Sequence, residues 1–398
     1  MRSSAPPQWL PQALDGLGFV RSVPGVTHPA VLAFWPAVTT NPYQRLVYGD
    51  LLRRGIVPVG IDDKSSIDAI PELHQLGART VFHLHWTTQI SALTRSPETA
   101  ARNNARFLET LDRLRAAGTA IMWTIHNVVP HGCLDIEREL TLQSAIAQRC
   151  DVIHVLGQRS TDIVSEGVAL PRQRIRIVPH PSYRTAYPAE THRDTTRAAL
   201  GIPPTEVVYA VVGSLRRNKG LAELLDAYDQ MGNGSVRPVL IIAGTPLDQP
   251  TAELLRDRAR RDPVVKVFLG RIEDDQLVSL VDAADVMVLP YQEVLNSGVL
   301  FLAWSRGRPV VGPAMGELAD QVVANTGVLF DPDDPGGLAR ALADAWPLVA
   351  RPDVARAIER ALVPHNPGTV ATTFGDVIQE LVEQPPTRQI TEVPEHGS

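Results

Sequence analysis

Cysteine is nearly absent from the sequence, which has Cys133 and Cys150 among its 398 residues. Two thiols are too few for a disulfide framework, and neither has zinc-type spacing, so we expect reduced thiols. No apolar run approaches the roughly 18 residues of a membrane span, and the start MRSSAPPQWLPQ lacks the charged-then-apolar order of a signal peptide. We therefore expect a cytoplasmic protein.

Positive charge is also scarce. Acidic residues outnumber Lys and Arg by 44 to 38, so the formal net charge is -6. Nucleic acid is not an expected partner, because binding it usually needs a cationic surplus, and any anion site must be local. The chain is 44% hydrophobic, and at roughly 100–200 residues per domain it should form two or three domains.

Short β-branched runs alternate with helical stretches, which is typical of an α/β fold with parallel sheets. In the first half the pattern predicts strands at Val31–Phe34, Val81–His85, Ile121–Ile125, Val152–Leu156 and Ile175–Val178. In the second half it predicts strands at Val207–Val212, Val239–Ile242, Val264–Leu269, Val286–Leu289 and Pro309–Val311.

A segment rich in Pro, Thr and charge predicts a domain boundary near residues 182–200. The expected organisation is a first domain, a second domain, a final helix and a disordered tail, at residues 1–185, 186–364, 365–383 and 384–398. The final helix should bury Phe374, Ile378 and Leu381 on one face.

The stretch GSLRRNKG, Gly213–Gly220, joins a predicted strand to a helix. Asn218 is a candidate N-cap for that helix, and its free N–H groups together with Arg216 and Lys219 favour an anion. The spacing fits neither the P-loop nor the dinucleotide fingerprint, and a phosphate remains the best match. The alternative is a solvated basic turn. The expected buried face of the helix is Leu221, Leu224, Leu225 and Tyr228.

A second loop, within VLPYQEVLNSGVL, also leads from a strand to a helix. Asn296 or Ser297 is placed to cap a helix that begins near Gly298, where glycine would let the backbone approach a phosphate closely. In a parallel sheet ligands bind outside the carboxyl ends of the strands, so both loops could face one ligand. A routine helix cap is the alternative.

Several histidines follow or end predicted strands. His126, with Asn127 beside it, could hydrogen-bond a sugar hydroxyl or a phosphate, or could be a structural histidine. His83 and His85 share one strand face, but no third ligand is spaced to join them, so we expect no metal site. His180, in VPHPSY, ends the last strand of the first half.

The stretch ARNNARFLETLDRLRAAG predicts an amphipathic helix with an apolar stripe and a basic one. The basic stripe could touch anionic lipid, but its cationic surplus is small, so a solvated face is the favoured interpretation. The apolar stripe is Phe107, Leu111 and Leu114, and the basic stripe is Arg102, Arg106 and Arg113.

Taken together, these stretches resemble the retaining glycosyltransferases of family four, which have the GT-B fold of two facing Rossmann-like domains and an inter-domain cleft. The resemblance covers about residues 30 to 380. It rests on the second-half order of GSLRRNKGLAELLDAY, LIIAGTP, VFLGRIEDDQLVSLVDAADVMVLPY, SRGRPVVGP and TGVLFDPDDPGGLARAL. In the first half NPYQRLVYGDLLRRGI, HLHW, TIHNVVPHG and VPHPSY look like a subgroup that makes cell-surface polysaccharides.

The resemblance implies a hexosyltransferase that moves a sugar from a GDP- or UDP-linked donor to a saccharide or lipid-linked saccharide. It further implies retention of configuration, no metal or cofactor, work at the inner face of the membrane, and a final helix that crosses back to the first domain. The implied catalytic residues are His126, Arg216, Lys219 and Glu293. The implied donor-phosphate residues are Gly213, Ser214, Arg216, Lys219, Asn296, Ser297, Gly298 and Val299. The acceptor-side candidates are Asn41, Tyr43, Asn127 and His180.

Two positions depart from the family pattern. The second of two glutamates, which would bind the ribose, is replaced by Leu302, and the usual Arg after the first loop glycine is Ser214. Leu302 motivates an alternative, a non-catalytic GT-B protein that binds a nucleotide sugar or assists a partner. A GT-B sugar epimerase is a third possibility, but we find no carboxylate pair for its chemistry.

Overall fold

The computed structural model describes residues 7–190, 192–231 and 237–383. The chain forms two compact units. The first contains the residues up to Val155, Val164–Val178 and those from Ala371 onward, and the second contains Leu156–Ile163 and Pro179–Val370. The predicted disordered tail, 384–398, lies outside the described residues. Among the described helices, none has the length and apolar composition needed to cross a bilayer.

The first unit is built on a parallel sheet whose described strands follow the spatial order β2-β1-β3-β4-β5-β6. The order reverses between β1 and β3, and Val31 of β1 lies opposite Val57 on one side and Thr80 on the other. The strands are β1 Ala30–Trp35, β2 Ile56–Gly60, β3 Arg79–Leu84, β4 Ala120–Thr124, β5 Val152–Val155 and β6 Ile175–Ile177. The helices are α1 Leu10–Arg21, α2 Tyr43–Val47, α3 Pro97–Ala116 and α4 Ile136–Arg149, with 3-10 turns at Leu52–Arg54, Lys64–Leu76 and Arg172–Arg174 and a π turn at Thr88–Ala92. Helix α5, Gln158–Ser165, belongs to the second unit up to Ile163.

The second unit is built on another parallel sheet, with its described strands in the order β12-β11-β10-β7-β8-β9. This is the Rossmann order, and it reverses between β7 and β10. The strands are β7 Val208–Val212, β8 Val239–Gly244, β9 Val265–Leu269, β10 Val286–Val288, β11 Val310–Pro313 and β12 Gly327–Phe330. The helices are α6 Arg193–Ala199, α7 Leu221–Met231, α8 Gln249–Arg261, α9 Asp274–Ala283, α10 Gly298–Ser305, α11 Leu318–Gln321, α12 Gly337–Ala345 and α13 Asp353–Ala361, with 3-10 turns at Arg217–Lys219, Trp346–Ala350 and Val363–His365. The last helix, α14 Pro367–Glu383, begins in the second unit and belongs to the first unit from Ala371.

Every strand predicted from the sequence is present within two residues of its expected bounds. Strands β2 and β12 were not predicted, and each lies at an edge of its sheet. Edge strands need only one partner, so a short or Pro-containing sequence suffices, and Pro58 lies within β2. The proline within β2 and the four-residue length of β12 make their patterns weak, whereas β6 and β9, which also lie at edges, were predicted.

The predicted apolar helix faces are buried. In α3 the stripe of Phe107, Leu111 and Leu114 is at most 3% exposed. On the opposite face Arg113 pairs with Asp68 at 2.9 Å, with both side chains exposed, so this cation already has a counter-charge in solvent. In α7 the predicted face is buried as well: Leu221, Leu224, Leu225 and Tyr228.

Helix α14 buries its predicted apolar face, with Phe374 and Ile378 fully buried and Leu381 8% exposed. From Ala371 onward it belongs to the first unit. Arg54 donates to the carbonyl oxygen of Thr372 at 3.0 Å and pairs with Asp376 at 2.8 Å. Helix α14 from Ala371 to Glu383 is therefore packed into the first unit's core.

The burial of Phe374 predicts a large loss of stability when its ring is removed. Phe374→Ala should lower the free energy of unfolding by about 3–5 kcal/mol, because it removes apolar contacts and leaves a cavity. Urea unfolding followed by circular dichroism measures this change. The matched control is Phe19→Ala, since Phe19 is 58% exposed. Equal, small effects of the two substitutions would contradict the assigned packing of α14.

Candidate active site

The anion loop, Gly213–Gly220, follows β7, and a second loop, Leu289–Ser297, follows the adjacent strand β10. The two loops touch: the N–H of Gln292 donates to the carbonyl oxygen of Asn218 at 3.2 Å. A Cβ built on Gly213 would lie 3.9 Å from Val299 in the first turn of α10. The point where the strand order reverses thus brings the two predicted loops together, as the ligand sites of open α/β sheets require.

The anion loop is anchored to the segment after β8. The N–H of Leu215 donates to the carbonyl oxygen of Thr245 at 2.8 Å, and Leu247 donates back to Leu215 at 2.9 Å. Leu215 is itself 1% exposed. These bonds hold the backbone of the loop, while Ser214 and Arg216 on either side of Leu215 remain only half-buried.

The start of α7 differs from the prediction that Asn218 caps it. Asn218 lies in the 3-10 turn Arg217–Lys219, and its Oδ1 has no hydrogen-bond partner among the described residues. The N–H of Leu224 instead donates to the carbonyl oxygen of Gly220 at 2.9 Å. Gly220 therefore occupies the cap position, because the extra 3-10 turn moves the helix start two residues along the chain.

Two cations of the anion loop are held without a carboxylate partner in any described ion pair. Arg216 is half-buried, its burial lowers the pKa of the guanidinium, and its Nε lacks a hydrogen-bond partner among the described atoms. The Nζ atom of Lys219 lies 3.5 Å from the ring centroid of Tyr291. A cation over an aromatic face keeps its charge available for an anion.

Helix α10 begins as predicted. Ser297 is its N-cap and accepts a hydrogen bond from the N–H of Leu300 at 3.4 Å. The side chain of Asn296 instead donates to Ser160 at 3.5 Å. The half-buried Gly298 and Val299 form the first turn.

Gly298 is close to aromatic side chains of its own unit. A Cβ at this position would lie 2.7 Å from the Tyr183 hydroxyl and 3.7 Å from Nε2 of His180. The His180 ring stacks on Phe301, with 4.6 Å between centroids. Any larger residue here would therefore force the Tyr183 hydroxyl to move, and the structure brings His180 to α10.

The two positions of the family's glutamate pair have different environments. Glu293 is exposed in the loop after β10. Leu302 is 3% exposed within α10, so its side chain belongs to the core of the second unit. An exposed carboxylate can bind a sugar hydroxyl, whereas a buried leucine cannot.

The first unit brings together another group of predicted residues. His126 lies just beyond β4, where its ring stacks on Trp86 at 4.4 Å and meets the edge of Tyr43 at 5.1 Å. Asn41 accepts a hydrogen bond from the N–H of Tyr43 at 2.9 Å. Asn127 approaches His131 at 3.3 Å. Two aromatic rings therefore fix the orientation of the His126 imidazole.

His83, within β3, and His85, one residue beyond its end, lie on the same side, as predicted, with 4.2 Å between their ring centroids, and both bond to Tyr48. The Tyr48 hydroxyl lies 2.7 Å from Nδ1 of His83 and 2.6 Å from Nε2 of His85. Among the described residues, no group of three or more His, Cys, Asp and Glu side chains is placed to hold a metal ion.

Sequence reasoning missed three residues that position these groups. Tyr291 supports Lys219, Tyr48 joins two histidines, and Glu317, which is 4% exposed, accepts a hydrogen bond from the N–H of Ser160 at 2.5 Å. Tyr291 follows β10 and had a signal in its strand-end position. Tyr48 and Glu317 are distant in the chain from their partners, so no sequence pattern could have identified them.

The sequence of this chain is similar to those of known sugar-transferring enzymes. Residues 206–346 match the family model described as glycosyl transferases group 1. The GDP-mannose:glycolipid 4-beta-D-mannosyltransferase of Xanthomonas campestris pv. campestris is 26% identical over 81% of this chain and 85% of its own length. The chain is a glycosyltransferase of the hexosyltransferase type.

Solved structures confirm the predicted fold class. The glycosyltransferase fold aligns with sucrose-phosphate synthase from Thermosynechococcus elongatus at a TM-score of 0.66 and 19% identity, over 89% of this chain and 99% of that one. It also aligns with the Anabaena HepE protein, which was solved in complex with UDP. The TM-score is 0.67 and the identity 14%, over 88% of this chain and 100% of that one. These likenesses show the GT-B fold with two Rossmann-like domains.

Three buried histidines of the first unit predict a loss of stability in acid. Burial lowers the pKa of His83 and His85 well below 6.5, with further lowering by neighbouring histidines, and lowers that of His154 to about 4. The unfolded chain therefore binds protons that the folded chain rejects as the pH falls below about 6.5. Each histidine should remove about 1.4 kcal/mol of the free energy of unfolding per pH unit until its folded pKa is reached.

Urea unfolding at several pH values between 7.5 and 4.5 measures this slope. Replacing His154 with Gln should make the slope shallower, by up to about 1.4 kcal/mol per pH unit. His28→Gln is the matched control, because His28 is exposed. A free energy of unfolding that stays constant below pH 6 would contradict the neutral, buried state of these histidines.

Proposed function

We propose that the enzyme transfers a hexosyl group from a nucleoside diphosphate hexose to a hydroxyl of a saccharide acceptor, with the diphosphate bound by the anion loop and the first turn of α10. The contact between the two loops supports this most directly, since it joins Arg216 and Lys219 to the helix start at Gly298. Two cations and a helix N-terminus on touching segments favour an anion. The Rossmann strand order favours the same edge.

The proposed catalysis is electrostatic. Breaking the bond between sugar and phosphate leaves negative charge on the departing nucleoside diphosphate, and groups already aimed at that charge stabilise the transition state. Arg216 would donate to phosphate oxygens, Lys219 would add a second cation, and N–H groups of Gly298 and Val299 would add partial positive charge. Because these groups can neutralise the charge on the leaving diphosphate, we propose that the hexosyl transfer needs no metal or other cofactor. A chelator should therefore leave the transfer rate unchanged.

The proposed donor is GDP-linked, with a UDP-linked hexose as the alternative. The Xanthomonas relative is named for GDP-mannose and for a glycolipid acceptor, and the Anabaena protein was solved with UDP. We propose a lipid-linked saccharide as acceptor. Such an acceptor would bring the enzyme to the inner face of a membrane, where the exposed Arg102 and Arg106 of α3 are the candidate contacts.

In the second unit we propose that Glu293 contacts the transferred hexose, and in the first unit we propose that His126 contacts a sugar hydroxyl and that Asn41, Tyr43 and Asn127 are acceptor-side residues. The family resemblance implies retention of configuration. The Xanthomonas relative is named for a 4-beta-D-mannosyl linkage, so the anomeric configuration of the product is the informative measurement. An alpha-linked product from an alpha-linked donor would support retention of configuration. A beta-linked product would show inversion and contradict the proposal.

The diphosphate assignment predicts that removing either cation weakens nucleotide binding. Lys219→Ala and Arg216→Ala should each raise the dissociation constant for GDP by about 10- to 100-fold, which corresponds to losing one charged hydrogen bond in a partly buried site. Titration calorimetry with GDP and UDP measures the change and identifies the base.

The matched control is Arg217→Ala, because Arg217 is an exposed cation of the same loop. It should leave the dissociation constant within about twofold, as expected for an exposed charge. If the three variants bound GDP and UDP as tightly as the wild type, the anion loop would not be the diphosphate site. If the wild type bound a nucleotide but transferred sugar to no saccharide acceptor, the proposed transfer would be wrong.

A further inference from the structure

A continuous line of hydrogen bonds crosses the first unit from a backbone carbonyl to His126. Each step is short, between 2.6 and 3.0 Å. We call this line the histidine relay. Its members, in order, are the carbonyl oxygen of Val178, His154, Thr124, His83, Tyr48, His85 and His126.

The relay lies inside the core. His83 and His154 are fully buried, and His85 is 1% exposed. The ring of Phe374 in α14 covers Tyr48, His83 and His154, with centroid distances of 5.3 to 5.9 Å. Burial disfavours the charged form of each imidazole. Each buried histidine is therefore neutral near pH 7, with one N–H donor and one lone-pair nitrogen.

The backbone carbonyl decides the direction of the first bonds. A carbonyl oxygen only accepts, so Nε2 of His154, at 2.9 Å from Val178, must carry the proton. Nδ1 of neutral His154 is then an acceptor, and the hydroxyl of Thr124 donates to it at 2.9 Å. Having used its one proton, Thr124 must accept from Nε2 of His83 at 2.7 Å.

The same rule passes along the rest of the relay. With its proton on Nε2, His83 accepts at Nδ1 from the Tyr48 hydroxyl. Tyr48 then accepts from Nε2 of His85. His85 is left with a lone pair on Nδ1, which accepts from Nε2 of His126 at 3.0 Å.

The carbonyl oxygen of Val178, which anchors the relay, excludes the opposite direction of hydrogen-bond donation. If His126 accepted at Nε2, every bond would reverse and Nδ1 of His154 would carry a proton. Nε2 of His154 would then face the Val178 carbonyl with a lone pair, or the ring would carry a buried positive charge. Both arrangements are costly in the core.

We propose that the histidine relay fixes the tautomer of His126, with the proton on Nε2 and the lone pair on Nδ1, and that Tyr48 is its central positioning residue. Any group that bonds to Nδ1 of His126 must then donate a proton. A sugar hydroxyl meets this requirement, and an ionised phosphate oxygen does not. This choice of hydroxyl over phosphate rests on the proposed function, whereas the tautomer itself does not.

The test is nitrogen NMR of the full chain labelled with [15N]histidine, which distinguishes a protonated ring nitrogen from one with a lone pair. The His126 signals are assigned by their loss in His126→Gln. We expect Nε2 protonated and Nδ1 unprotonated in the wild type. In Tyr48→Phe the relay is cut, and the His126 signals should shift to those of a tautomer mixture.

Two further variants keep the test decisive. Thr124→Val preserves the side-chain shape but separates His83 from His154 and the Val178 carbonyl. It should also give a mixture of His126 tautomers, and it replaces Tyr48→Phe if that variant fails to fold. Tyr209→Phe is the matched control, since it removes a buried hydroxyl that donates to Leu342 at 2.8 Å outside the relay. A wild-type His126 protonated on Nδ1, or a tautomer unchanged in both relay variants, would overturn the proposal.

A transfer assay separates the relay from the proposed function. Tyr48→Phe should lower kcat by about 10-fold or more, the scale of losing a group that orients a functional histidine, while the dissociation constant for GDP stays within twofold. An altered tautomer with unchanged kcat would overturn the assignment of a sugar hydroxyl to His126 and leave the relay standing. Lost GDP binding by Lys219→Ala remains an independent check of the donor site.

Discussion

The close approach of Gly220 to the carbonyl oxygen of Pro290 is the constraint on which the contact between the anion loop and the second loop depends. A Cβ at Gly220 would lie 1.8 Å from that oxygen, and the residue has φ +64°. Glycine therefore fits both the space and the backbone conformation. Because the two backbones can meet here, Asn218 bonds to Gln292 and Lys219 lies over Tyr291. Lys219 is therefore held in place without a ligand, as the proposed electrostatic catalysis requires.

The placement of positive charge is local and sparse. With a formal net charge of -6, the protein as a whole does not attract anions at long range. Charges separated by more than about 8 Å are screened at physiological salt, so the cations of the anion loop act only over short distances. A half-buried Arg216 gains from this arrangement, because a bound phosphate would supply the partner that its Nε lacks among the described residues.

The first unit has a core that contains many polar side chains. It buries three imidazoles, a phenol and a hydroxyl in one core, which would be costly if any were left without a hydrogen bond. The histidine relay satisfies them in series, and α14 covers them with the ring of Phe374. A helix near the end of the chain thereby supports the environment of His126, which lies more than two hundred residues earlier in the sequence.

Local sequence patterns were enough to predict the strands with strong β-branched runs, the buried faces of α3, α7 and α14, and a helix that begins near Gly298. All of these follow from patterns within a few residues, where periodicity and capping chemistry act. The tertiary structure alone decided that Gly220 caps α7, that Tyr291 supports Lys219, that Gly298 makes room for Tyr183, and that Tyr48 joins His83 to His85. Those outcomes depend on strand order, register and the meeting of distant segments, and no local pattern encodes which distant side chains will come within hydrogen-bond distance.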